Sequence, residues 1–438
     1  MANSDRPRAR GLRGDEKVAL AQLALPTFAL ALSITLVSSY LGEVTRHYTQ
    51  QTVVIGVIIG SEGVMALWVP LLAGAWSDRA RSRIGGRLPF VVGGGLPAAV
   101  ALGVLGFVHS LVSVAFVTAV FFAFYFFAYE PYRAMYPDMV QGEEVAGRAQ
   151  STQAIARGCG TGAALLGGGL LLSIARQLPF IVFAALLVGA IAGFVWLIVR
   201  RGVPEQRGGH AGERARDLIP RLGRLLKRHP ALRAYLLANA LWEMALAALK
   251  AFVILYLTLG LGYQLSTSAL LIGGVALVIL VGAAVAGKLG DRFGRLRVVT
   301  IAAAVYGAGF LVPIFTTSRA LLGAAMPFIA LGGGAVMTMA YAVLMPLMPR
   351  DEHGLLTGFY SMSRGLGIVA GPILAGLAIS LTQGGPFAAT HGFQAVWIVC
   401  AAASLASLLL LRQLRRQRED RRELRRRSDV ASQEPSGA

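Results

Sequence analysis

Charge is scarce in this chain, and acid is scarcer still. Only 14% of the 438 residues are charged, and 22 acids face 41 bases. So little charge beside 55% hydrophobic residues excludes a single water-soluble core and indicates a membrane protein. Cysteine is nearly missing. Cys159 and Cys400 lie in apolar runs far apart in the chain, which excludes a disulfide framework and a thiolate metal site and leaves both as packing residues. The sequence has no Walker loop, redox centre or hydrolytic constellation, so it reads as no enzyme, with no cofactor and no metal.

Long apolar runs are what the chain has instead. Runs of about 18 to 25 apolar residues suffice to cross roughly 30 Å of hydrocarbon as helix. Twelve occur: 18–40, 52–76, 90–108, 112–132, 153–174, 179–199, 234–257, 268–289, 298–315, 321–344, 356–381 and 393–411. The first is too long for a signal-peptide core and lacks a small-x-small cleavage site, so it reads as a retained span. The expected fold is an all-α membrane protein with twelve transmembrane helices in two six-helix pseudo-symmetric halves. An N-terminal segment (1–17) precedes the first bundle (18–199). A basic linker (200–233), partly an amphipathic helix or simply a loop, leads to the second bundle (234–411) and a basic, mobile tail (412–438).

The bases fall almost wholly in alternate links. On the other side stand only Arg46, Arg176 and Arg319. That bias places both termini in the cytoplasm and the protein in the cell (inner) membrane. It also accounts for the net charge of +19 without a nucleic-acid partner.

Two segments recur. Residues 74–90 form a basic loop with Asp78, Arg79, Arg81, Arg83 and Arg87, and residues 287–297 repeat its Gly-x-x-x-Asp-Arg core with Asp291 and Arg292. Gln153-Ala-Ile-Ala-Arg157-Gly-Cys-Gly160 is echoed by Tyr360-Ser-Met-Ser-Arg364-Gly-Leu-Gly367. Parallel six-span repeats with a site at their interface are a transporter architecture. Asp78 closes the second span, where its carboxylate can meet the positive end of a neighbouring helix. The arginines can pair with Asp138, Glu143, Glu144, Asp351 or Glu352. The loop then acts as a latch; the alternative is that its charges only set topology.

An ionisable side chain near the bilayer centre costs about 2.5 to 3.5 kcal/mol on insertion scales and is a functional candidate by default. Six qualify: Glu62, Glu130, Arg157, Glu243, Lys250 and Arg364. Glu62 lies near the midplane beside small residues. Asn239, Glu243 and Lys250 share one face of the seventh span. Glu243 and Lys250 are about 10.5 Å apart along the axis, so they address different partners. Depth makes Glu62 and Lys250 a candidate ion pair across the halves, functional or purely structural. Arg157 and Arg364 read as gate or packing residues tied to helix ends and carbonyls, and Glu130 as a structural partner of Arg133. Tyr125, Tyr129 and Tyr132 form a stripe that either packs or stacks on a sugar ring.

The repeated Gly-x-x-x-Asp-Arg loop resembles that of the major facilitator superfamily, over essentially residues 18–411. The longer form Ser77-Asp78-Arg79-x-x-Ser82-Arg83-x-Gly85-x-Arg87-x-Pro89-Phe90, with Pro131-Tyr132-Arg133-Ala134, resembles the sucrose transporters and the glycoside, pentoside and hexuronide cation symporters. Melibiose-type symporters place a cation-binding carboxylate just before the proline of span two. Here Val69 precedes Pro70, so the coupling ion is expected to be a proton. The resemblance implies a monomeric secondary transporter that moves a small organic solute, such as a sugar or glycoside, by alternating access. Its coupling or binding candidates are Glu62, Asn239, Glu243, Lys250, Tyr125 and Tyr129. Its cytoplasmic gate comprises Asp78, Arg79, Arg83, Arg87, Arg133, Asp291, Arg292, Arg157 and Arg364. An exporter of amphipathic compounds, or a non-transporting sensor on a transporter scaffold, is the alternative. The charge bias makes one direct expectation: cysteines placed in the 200–233 linker are shielded from an impermeant thiol reagent in intact cells, and labelling from outside overturns the topology.

Overall fold

The computed structural model describes residues 14–80, 86–139, 143–201, 223–224, 226–344 and 353–431. Twelve helices long and apolar enough to cross a membrane account for nearly all of them. They are α1 (Gly14–Thr45), α2 (Thr52–Arg79), α3 (Leu88–Leu105), α4 (Leu111–Met139), α5 (Glu143–Ile174) and α6 (Leu178–Arg201), then α7 (Pro230–Leu255), α8 (Leu265–Phe293), α9 (Arg295–Phe315), α10 (Arg319–Leu344), α11 (His353–Thr382) and α12 (Val396–Ala431). In hydrocarbon no water can satisfy a peptide group, so each apolar run must close its own hydrogen bonds as helix. Pro26, Pro70, Pro97, Pro313, Pro327 and Pro372 sit inside helices. That is tolerated where neighbouring helices re-satisfy the freed carbonyls.

The architecture expected from the apolar runs is present, and the repeat is visible in individual bonds. Arg87, at the start of α3, donates to the carbonyl of Ala134 on α4 at 2.6 Å. Its counterpart Arg295, at the start of α9, donates to Ala342 on α10 at 3.4 Å. Tyr132 on α4 bonds the carbonyl of Leu23 and the hydroxyl of Thr27 on α1. In the second half the tyrosine has moved to the partner helix: Tyr235 on α7 bonds the carbonyl of Ala340 on α10. Between α8 and α9 the chain turns at Gly294, whose φ of 89° is one that only glycine adopts without strain.

Three helix pairs join the halves extensively: α2 with α11, α5 with α8, and α1 with α7. Glycine sets how closely they approach. A Cβ at Gly56 would stand 2.3 Å from the Pro372 carbonyl oxygen, and one at Gly63 would stand 2.5 Å from the Val369 nitrogen. Thr52 donates to the Gly376 carbonyl at 2.7 Å. On the other pairs, a Cβ at Gly42 would be 2.9 Å from the Ala251 oxygen and one at Gly169 would be 2.4 Å from the Ala269 side chain. These contacts lie from mid-helix towards the face opposite the basic loops. Near the basic face, Gly74 on α2 and Gly287 on α8 meet nothing within 4 Å. Among the described glycines, close approach between the halves is therefore concentrated from mid-helix towards one face.

Several expectations need correction. The tail beyond Arg412 is helical as far as Ala431, because α12 runs on through a stretch with no Gly or Pro. Leu411 and Leu414 are buried against Leu232 and Tyr235 in the second half's core, which anchors the start of that extension. Cys159 is exposed on the surface of the chain, whereas Cys400 is buried and its thiol meets the Ala245 carbonyl at 3.3 Å. The linker and its expected amphipathic helix lie almost entirely outside the described residues.

The glycine contacts generate a test. Forcing atoms into a close-packed contact costs about 1 to 3 kcal/mol. Gly56→Val is expected to lower the unfolding midpoint in detergent and to raise thiol labelling of a cysteine placed at Ile373. Gly74→Val, where nothing lies within 4 Å, should leave both unchanged.

Candidate functional site

Between the halves the intramembrane charges gather into one network. Glu62, in mid-α2, is about nine-tenths buried, with 9% exposure. Among the described residues no ion pair within 4.0 Å and no hydrogen bond engages its carboxylate, yet its oxygens are not sealed from solvent-sized space. The charges acting on it are, in order of strength, Lys250, Glu243 and Arg364. The expected contact pair is therefore not formed. Lys250 faces Glu62 closely enough to be the strongest charge upon it, but the two stop short of contact. Depth along two helices fixes a common height and says nothing of the lateral gap between them.

Glu243 has a different partner from any foreseen. Arg364 Nε donates to Glu243 Oε1 at 2.6 Å, joining α11 to α7. One turn along α7, Asn239 Nδ2 donates to Ser363 Oγ at 2.8 Å. Gly367 makes the strap possible, since a Cβ there would stand 2.3 Å from the Ala240 oxygen and 2.9 Å from the Glu243 Cβ. Arg364 thus holds a carboxylate rather than the helix-end carbonyls expected of it. Its side chain keeps 40% exposure beside the buried Glu243, so the strap borders open space. The sequence did carry a signal for this strap. Asn239 and Glu243 are one turn apart on one helix, and Ser363-Arg364 offers adjacent donors within the echoed segment of another.

The first half supplies an aromatic wall. Tyr125 and Tyr129 stack with centroids 5.5 Å apart and planes 17° from parallel. Arg133 and Arg157 stand over the Tyr129 ring, at 5.6 and 5.9 Å from its centre. Arg133 also meets Glu130 at 3.4 Å, the local pair expected from spacing. Arg157, expected to be tied to carbonyls, makes no hydrogen bond or ion pair among the described residues. It lies one turn from Thr161, which contacts Thr35 of α1, so it projects along the inner side of α5. Tyr132 leaves the stripe for its bonds to α1.

Of the gate residues, Arg87 holds α3 to α4. Asp291 pairs with Arg295 at 3.7 Å on the surface, and Arg292 lies over Phe293 at 5.1 Å. The side chains of Asp78 and Arg79 lie outside the described residues. So do Arg83 and the acids proposed as its partners: Asp138, Glu143, Glu144, Asp351 and Glu352. The latch stays an expectation.

A twelve-helix fold in two repeats, enclosing charged and aromatic side chains between them, defines a membrane transporter class. The family model described as Major Facilitator Superfamily matches residues 23–282 and 245–435, and the chain belongs to that superfamily. An uncharacterized MFS-type transporter of Mycobacterium tuberculosis is 30% identical over 111 residues, which cover 25% of this chain and 15% of that protein. A multi-drug resistance efflux pump PmrA homolog of Lactococcus lactis is 27% identical over 136 residues, covering 30% of this chain and 33% of its own length. These alignments thus span a third or less of either relative. Among solved structures, a bacterial homolog of the human lysosomal transporter Spinster, inward-facing and occupied, superposes with a TM-score of 0.76 at 13% identity, over 93% of this chain and 98% of that one. The nucleoside transporter NupG gives 0.69 at 15% identity, over 91% and 98%. At such identities the likeness is one of fold.

The strap across α7 and α11 sets up a double-mutant cycle. Removing one partner of a buried pair leaves an orphan charge at a cost of about 3 to 5 kcal/mol, discounted here because Arg364 is part-exposed. Glu243→Gln or Arg364→Met alone should each destabilise by about 1 to 2 kcal/mol, and the double variant by less than their sum. Additive losses in the unfolding midpoint contradict the pairing.

Proposed function

We propose that the chain is a secondary active transporter that carries a small ring-bearing organic solute together with a proton. The single observation behind this is Glu62, a mid-membrane carboxylate in contact with no counter-ion, on the wall between two pseudo-symmetric halves. A carboxylate can carry a proton, and Glu62 gives up no contact partner when it does so. Lys250 across the gap is then a charge whose pull on Glu62 changes as the halves rock. The part-exposed Tyr129, backed by the buried Tyr125, offers a ring to the solute, and a sugar or glycoside ring would suit it. That agrees with the sucrose-transporter and glycoside-symporter resemblance of the first basic loop.

The basic face is taken as cytoplasmic in an inner membrane, with residues 18–199 and 234–411 moving as two bodies in a monomer. On that orientation the face of close approach is external, and the solute enters or leaves through the cytoplasmic side. Asp78 would bear on the opposite half when that side closes. Export of amphipathic compounds is the second reading, favoured by the efflux-pump relative over its limited alignment.

Proteoliposome flux separates these readings. With Glu62 as the proton carrier, Glu62→Gln should abolish accumulation driven by a pH gradient while sparing solute exchange. A variant that still accumulates solute against its gradient removes Glu62 from coupling.

A further inference from the structure

The charges lining the internal space do not balance, and the imbalance names a class of solute. Glu243 is neutralised by Arg364 in a 2.6 Å contact. Arg133 is neutralised by Glu130 at 3.4 Å. Three ionic groups are left with no opposite charge within 4.0 Å among the described residues: Arg157, Lys250 and Glu62. Two are positive and one is negative. When Glu62 carries a proton, both positive charges stand uncompensated in the middle of the membrane.

These groups belong to one site. Lys250 is the strongest charge acting on Glu62. Glu62 and Arg157 both act on Tyr125. Arg157 lies over Tyr129, which stacks on Tyr125. An uncompensated cation in such a place requires an anion or water, and a planar guanidinium is shaped to take a carboxylate through two parallel hydrogen bonds. Because Arg157 already lies over the Tyr129 ring, an acid group bound to it would bring any attached ring beside the part-exposed Tyr129.

We propose that the solute is a small organic anion, a carboxylate attached to a planar ring. Arg157 receives its acid group, the part-exposed Tyr129, backed by the buried Tyr125, receives its ring, and Lys250 supplies the second positive charge. This deepens the transport reading and rests on it. It adds a reason for coupling, since a proton on Glu62 removes the one negative charge that would repel the anion and so makes the site more receptive to it.

The test uses the full chain in nanodiscs. Benzoate and 1-naphthoate are compared with the matched neutral amides and with benzylamine, by equilibrium binding of the radiolabelled compounds. Charge-assisted hydrogen bonds contribute about 1.5 to 3 kcal/mol, which converts to tenfold or more in affinity. The carboxylates should therefore bind at least about tenfold more tightly than the amides. Arg157→Gln and Lys250→Met should each erase most of that preference. Arg157→Lys keeps the charge and should keep part of the preference, and Arg319→Gln on the opposite face should have no effect. Equal or tighter binding of the amides or the amine overturns the anion assignment. Carboxylate binding indifferent to Arg157 and Lys250, or no carboxylate binding at millimolar concentration, overturns it too. The transport reading fails on a different measurement: a compound that binds but shows no counterflow in proteoliposomes.

Discussion

A charged side chain in hydrocarbon must find a counter-charge, a hydrogen-bond partner, water or a ligand, and the organisation of this protein follows from how its few interior charges meet that demand. Glu243 and Arg364 meet it with each other, and in doing so strap α7 to α11 within the second half. Asn239 and Ser363 extend the strap by one turn. Arg133 and Arg157 share the Tyr129 ring, a weaker cation–π contact; Arg133 also donates to Glu130, while the contact leaves the N–H groups of Arg157 for other partners. Glu62 and Lys250 meet it only at a distance. Unpaired groups of this kind are stable only beside a space that admits water or solute, so a gap between the halves follows from the same constraint.

Close approach at glycine occurs both within and between the halves, but side-chain bonds to carbonyls are concentrated within each half. Within a half, side chains bond specific carbonyls: Arg87 to Ala134, Arg295 to Ala342, Tyr132 to Leu23, Tyr235 to Ala340. Between the halves, backbones lie against each other at glycines, with Thr52 to Gly376 as a bond at the far end. Packing of small residues is non-directional and can be given up and remade without orphaning a charge. A glycine-lined junction of this kind suits a rocking motion of the halves.

Much of the fold was legible because the bilayer imposes it. Apolar run length gave the helices, and the Gly-x-x-x-Asp-Arg and Arg-Gly-x-Gly repeats gave the two halves. What failed was contact across helices that are distant in sequence. Glu62 and Lys250 share a depth and were expected to touch, but the lateral gap between α2 and α7 depends on how closely α11 approaches each of them. That approach is set by Gly56, Gly63 and Gly367, whose missing side chains carry no partner label. Arg364 was expected at carbonyls because nothing local marks Glu243 as its partner. The tail was expected to be mobile on charge alone, although its Glu-Arg spacing and lack of helix breakers favoured the helix that forms.

The central claim is that Glu62 and Lys250 line a space between the halves that opens on the basic face, proposed above to be cytoplasmic. Thiol accessibility tests it most directly, with Glu62→Cys and Lys250→Cys made separately in a Cys159→Ser background and an impermeant reagent applied to oriented vesicles. The account predicts that both positions label in inside-out vesicles and are protected in right-side-out ones. Labelling from the external side alone, or no labelling from either side, would contradict it.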